Sequence, residues 1–123
     1  MIDYKKIMEE EGDEKFFQYK GYDAAILRAP TGHLCGYVEI PNRHKLYGLD
    51  YNQINELYDY EFPAHGGLTY AGHRLNDHRY FIGFDCGHMN DISPLFPVGF
   101  EGSTYKDMEF VEDNIKEIID YIQ

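Results

Sequence analysis

Apolar residues near the C-terminus recur at helical spacing: Met108, Val111, Ile115, Ile118, Ile119 and Ile122 fall on one stripe. Thr104, with Asp107 three residues later, reads as a capping box opening that helix, whose stripe asks for a sheet to cover it. Between Gly21 and Ile40 the period drops to two. "GYDAAILRAP" and "HLCGYVEIP" flank "PTG", so residues 22 to 40 read as a hairpin, with Leu34, Val38 and Ile40 on one face and His33, Cys35, Tyr37 and Glu39 on the other. "HGGLTYAG" and "RYFIGFDCG" around "LNDH" predict a second hairpin. Its first strand sets Leu68 and Tyr70 against His65, Thr69 and His73, and its second sets Ile82, Phe84 and Cys86 against Phe81, Gly83 and Asp85.

Shorter helices complete the pattern. Asp3 caps a helix over residues 3 to 11 that ends at Gly12, and Phe16 and Phe17 are placed on a second short helical stretch. Asp50 caps a helix within "YNQINELYDY", before Pro63. Residues 88 to 103, rich in Pro, Gly and Ser, form a long loop. The predicted class is α+β: two β-hairpins in a mainly antiparallel sheet, packed against the C-terminal helix and the shorter helices.

Length and charge narrow the options. The 123 residues suit a single domain, 1-123, with one core. No run approaches the roughly eighteen apolar residues of a membrane span, and "MIDYKKIMEEEGDEK" is polar, which predicts a soluble, cytoplasmic protein without a membrane partner. Cys35 and Cys86 are expected as reduced thiols. Eleven Lys and Arg against twenty-two Asp and Glu leave a net charge of −11, which repels a DNA or RNA polymer. A small anion needs only one or two placed cations. Twelve tyrosines and eight phenylalanines exceed what so small a core hides, so some line a pocket or the surface.

The chemistry concentrates in residues 65 to 91. His65, His73, His78, His88, Asp85 and Asp91, with His33 and Cys35, are metal-type ligands, but their spacing matches no standard zinc signature, and turn-capping histidines are the plain alternative. Cys35 with His65 or His88 and an aspartate has the residue types for a nucleophile, whereas Cys86 reads as core. Gly66, Gly67, Gly72 and Gly83 are costly in strands unless a ligand or backbone comes close, or they mark bulges. Beside them, Tyr37, Tyr70, Tyr80 and Phe81 offer stacking surfaces. Arg28, Arg43, His44, Lys45, Arg74 and Arg79 offer cations, and Asp85 or Asp91 acceptors for a base. "EEEGDE" and "YDYEF" also permit an acidic face that blocks another protein, or a merely solvated one.

"CGYVEIP", "HGGLTYAG", "FIGFDCGHMND" and the helix after "TYKDMEF" resemble, over residues 21 to 122, a family of small bacteriophage proteins with CGYVG, HGGLT and GFDxxHxxD segments. The set is similar to the phage anti-CBASS sponges, which sequester cyclic dinucleotide signals without cleaving them. Tyr80 and Phe81 stand where many relatives are tryptophan-rich, and "GHMND" replaces a smaller "AHxGD" version, so no role carries over to Asn90.

The resemblance implies a non-enzymatic immune-evasion protein of the infected bacterial cytoplasm, with neither cofactor nor bound metal. It implies a homo-oligomer, dimer or tetramer, that takes a cyclic dinucleotide such as 3'3'-cGAMP. The expected ligand-binding residues are Arg28, Tyr37, His65, Gly66, Gly67, Thr69, Tyr70, Tyr80, Asp85, His88 and Asp91. Two alternatives stay open. One is a metal-dependent phosphodiesterase built on the His/Asp cluster, and the other is an acidic inhibitor of a host defence protein.

Overall fold

Two tight turns organise the first half of the chain. Lys20 and Gly21, both at positive φ (50° and 83°), form a two-residue turn whose twist suits a hairpin. It joins β1 (Glu14–Tyr19) to β2 (Tyr22–Arg28). The expected "PTG" turn, with Gly32 at φ 92°, joins β2 to β3 (Leu34–Glu39). Phe16 and Phe17, assigned above to a short helix, therefore lie on a strand. The adjacent phenylalanines fit either period, and the backbone partner that β2 offers decides between them.

The computed structural model describes residues 2–73, 78–97 and 101–123. Its remaining elements are α1 (Tyr4–Glu11), α2 (Tyr51–Leu57), β4 (Tyr70–Gly72), β5 (Phe81–Asp85) and α3 (Met108–Ile122). The five strands form an antiparallel sheet in the order β1-β2-β3-β5-β4, and α3 packs on β2 and β3. The α+β class with its C-terminal helix against the sheet is as expected. Most of the "LNDH" turn, and Arg74, lie outside the described residues. No helix among the described residues is long and apolar enough to cross a membrane.

Beneath α3 sit Ile26, Leu34, Val38, Ile82 and Phe84 from the sheet and Val111, Ile115, Ile118 and Ile119 from the helix, all at most 1% exposed. Each such side chain contributes about 2 kcal/mol relative to exposure. On the opposite, open face Ala25, Tyr37 and Phe81 form a small cluster, with Leu27, Cys35 and Tyr70 packed around it. Cys35 and Cys86 thus occupy opposite faces of the sheet.

Two local expectations change. Asp107, not Thr104, caps α3, its side chain accepting from the Phe110 amide at 2.9 Å. Thr104 is held elsewhere: its amide donates to Asn90 and its carbonyl accepts from Ile92, bridging it to Asp91. Leu68 and Tyr70 also part company, Leu68 entering the core under the helix and Tyr70 packing on Tyr37. Gly66 and Gly67 at φ 71° and 85° keep the preceding residues in a turn, so strand alternation starts only at Tyr70.

Candidate functional site

After β5 the chain turns back on itself. The Asp91 amide donates to the His88 carbonyl, and the His88 amide donates to Asp91 Oδ2 at 3.0 Å. This carries Asp91 to His65 Nε2, 2.9 Å away, and to Lys106 Nζ, also at 2.9 Å. The Asp91 side chain is wholly buried. Burial pushes its carboxyl up, but the His88 amide, Lys106 and His65 outweigh burial and hold it below the usual carboxylate range. Asn114 of α3 anchors the other side, accepting from the His65 amide at 2.8 Å and donating to the Pro63 carbonyl. The ring of His65 stands edge-on to Phe110 and 5.5 Å from that of His88.

Asp85 links this knot to the open face. Its Oδ1 accepts from the Gly87 amide, and its Oδ2 accepts from Thr69 Oγ1 at 3.3 Å. His88 Nε2 is buried and lies 3.6 Å from Asp85 Oδ1, beyond hydrogen-bond reach. His33 lies below its ordinary pKa because burial outweighs the pull of Asp85 and Asp91.

The glycines make room chiefly for the protein's own rings. A Cβ on Gly83 would stand 2.6 Å from Tyr37 Cδ1, and on Gly66 2.3 Å from His88 Nε2. On Gly87 it would meet the His33 ring, and on Gly36 the Phe84 ring. The expected ligand floor is thus partly filled from within: each missing side chain lets an aromatic or imidazole ring come close to the backbone.

The expected site residues fall into three groups. His65, Gly66, His88 and Asp91 form the knot. Tyr37, Thr69, Tyr70 and Asp85 line a cavity of about 220 Å³ on the open face with His33 and Cys35, the two tyrosine rings meeting edge to face at 5.6 Å. Gly67 belongs to the left-handed turn, while Arg28 and Tyr80 sit apart from both. The side chain of Arg28, 7% exposed, is bound by Glu11, Asp13 and Tyr105, and Tyr80 is buried under the helix with its hydroxyl donating to the Leu49 carbonyl.

A second, larger cavity of about 480 Å³ opens on the same face, lined by Phe16, Gln18, Asp23, Ala25, Leu27, Arg79 and Phe81. Arg79 bonds Glu39 and Asp23, both at 2.8 Å, and its guanidinium lies over the Phe81 ring at 5.2 Å. The sequence singled out Arg79 and Phe81, but not their meeting with Phe16 and Asp23, which needs four strands in register. Lys106 and Asn114 were also missed. Asn114 did leave a signal, a polar residue inside the apolar stripe of α3.

Among the described residues no group of three or more His, Cys, Asp or Glu side chains is placed to hold a metal ion. The Cys86 thiol is buried and pushed up by that burial. Neither a protein-family model, nor a curated protein, nor a solved structure matches the chain.

Proposed function

We propose that this protein binds and sequesters, without cleaving it, a small nucleotide signal of the cyclic dinucleotide class, such as 3'3'-cGAMP, on the open face of its sheet. The observation that carries this reading is the 480 Å³ cavity, in which Arg79 lies over Phe81 beside Phe16, Asp23 and Gln18. Its volume falls in the range of small-molecule sites, about 300–1,000 Å³. A nucleotide asks for the same chemistry: aromatic surface for a base, a cation for phosphate, and a carboxylate or amide for a base edge. Tyr37, Tyr70, Thr69 and Asp85 extend that surface toward β4. The carboxylate of Asp91 is wholly buried and already engaged by protein donors, which suits a structural part for the knot, whereas Arg79, though bonded to Glu39 and Asp23, keeps 40% of its side chain exposed to a ligand. The motif resemblance supplies the ligand class and the setting, an infected bacterial cell.

Calorimetric titration with a panel of cyclic dinucleotides tests the reading, followed by heat denaturation and chromatography of the released ligand. Sub-micromolar binding with intact ligand recovered is expected, weakened at least tenfold by Arg79→Ala. Cleaved product, or no binding across the panel, overturns it.

A further inference from the structure

The two edges of the sheet differ. β4 has only three residues, whereas β1 is an uninterrupted strand of six, with neither proline nor bulge against its neighbour. Natural sheets shorten, charge or cover an edge to prevent pairing with another chain. The Arg28 amide donates to the Asp13 carbonyl, which makes Asp13 and Arg28 a hydrogen-bonded pair of the β1–β2 ladder. Alternation then turns the amides and carbonyls of Lys15, Phe17 and Tyr19 toward β2. Those of Glu14, Phe16 and Gln18 point out of the sheet. The side chain midway along this edge is Phe16, an aromatic 65% exposed. The one cation on the strand, Lys15, is drawn off to Glu112 of α3.

We propose that β1 is the interface of a twofold-symmetric dimer, in which the β1 strands of two copies pair antiparallel with Phe16 opposite Phe16, joining the two sheets into one. This register pairs Glu14 with Gln18 of the second copy and bonds every outward amide and carbonyl of the strand. It sets Glu14 of one strand near the end of the other that carries Lys20, whose ammonium also meets Asp120 of its own chain. Centring the pair on Glu14 or Lys15 would instead oppose like charges, and centring it on Phe17 would leave Glu14 opposite the turn residue Lys20. An isologous contact of this kind closes after two copies. It also sets the two Arg79 cavities side by side on one face, related by the twofold axis, though the pairing itself does not depend on what they bind.

Sedimentation equilibrium of the full chain tests the proposal. The wild type is expected at twice the 14.4 kDa chain mass, and Phe16→Lys, which opposes two cations at the axis, at the single-chain mass with an unchanged circular dichroism spectrum. In the proposed register the paired Cα atoms lie about 5.5 Å apart, within disulfide range. Phe16→Cys is therefore expected to cross-link under oxidation where the wild type does not. A wild type that is monomeric at every concentration overturns the proposal. So does a dimer that survives Phe16→Lys, or a Phe16→Cys chain that stays uncrosslinked. Titration with cyclic dinucleotides is a separate readout, so loss of the ligand reading leaves this result standing, and the reverse.

Discussion

Asp91 is the residue on which most local order converges, since its buried carboxylate answers a lysine, a histidine and a backbone amide at once. Asp91→Asn is expected to destabilise the fold by about 3 kcal/mol, read from urea unfolding, because it leaves Lys106 poorly paired in a confined site. The sign of the pH effect follows from the depressed pKa. The carboxylate's contribution is complete above its unfolded value near 3.9 and is lost as pH falls through the lower folded value. His33, also depressed, contributes fully above about 6.5 and loses that contribution as pH falls toward its folded value. Stability should thus decline in two steps on acidification. His33→Gln should abolish the first, and Asp91→Asn should shrink the second, to which Glu112 and Asp120, also held low by their lysine partners, add. Gly83→Ala, which drives a Cβ into Tyr37 and the Gly36 carbonyl, is expected to cost about 1–3 kcal/mol in the same assay.

At the scale of elements, the turns and caps explain why the open face is shaped as it is. Lys20 and Gly21 set the β1–β2 register and so bring Phe16 beside Ala25. Asp107→Ala is expected to remove about 1 kcal/mol through loss of the α3 cap. Thr104→Ala should leave the helical signal of α3 intact, a contrast that thermal melts followed at 222 nm (the usual helix band) would show. Elements whose signal is local were legible in the residues. The Asp3 and Asp50 caps, the "PTG" turn and the α3 stripe all occur where the sequence points. β1 was not legible, because two adjacent phenylalanines carry no period of their own and only pairing with β2 makes the segment extended. The Leu68 and Tyr70 alternation failed for the opposite reason: two left-handed glycines broke the strand before it began.

For the whole molecule, the open face is the proposed ligand surface and β1 the proposed dimer edge. The chain carries a net charge of −11, so two copies repel at long range. Dimer formation through β1 is therefore expected to strengthen as salt rises from about 50 to 500 mM, because screening shortens the Debye length. Asp85→Ala is a cleaner probe of the smaller cavity than His65→Ala. Asp85 is part-exposed on the rim, whereas His65 also holds Asp91 in place.

The sequence alone determined what depends on neighbours along the chain: the α+β class, the strands β2, β3 and β5, the two faces of β3 and β5, the helices and most of their caps, and the clustering of His and Asp after the "GFD" strand. Periodicity and turn chemistry act over a few residues, so they can be read without coordinates. Only the tertiary structure decided which chemistry-bearing residues meet. It spent Arg28 and Tyr80 on the fold, filled the space left by Gly66, Gly83 and Gly87 with the protein's own rings, and gathered Phe16, Asp23, Arg79 and Phe81 into one cavity. These juxtapositions depend on strand order and register, which long-range backbone pairing and core packing set together.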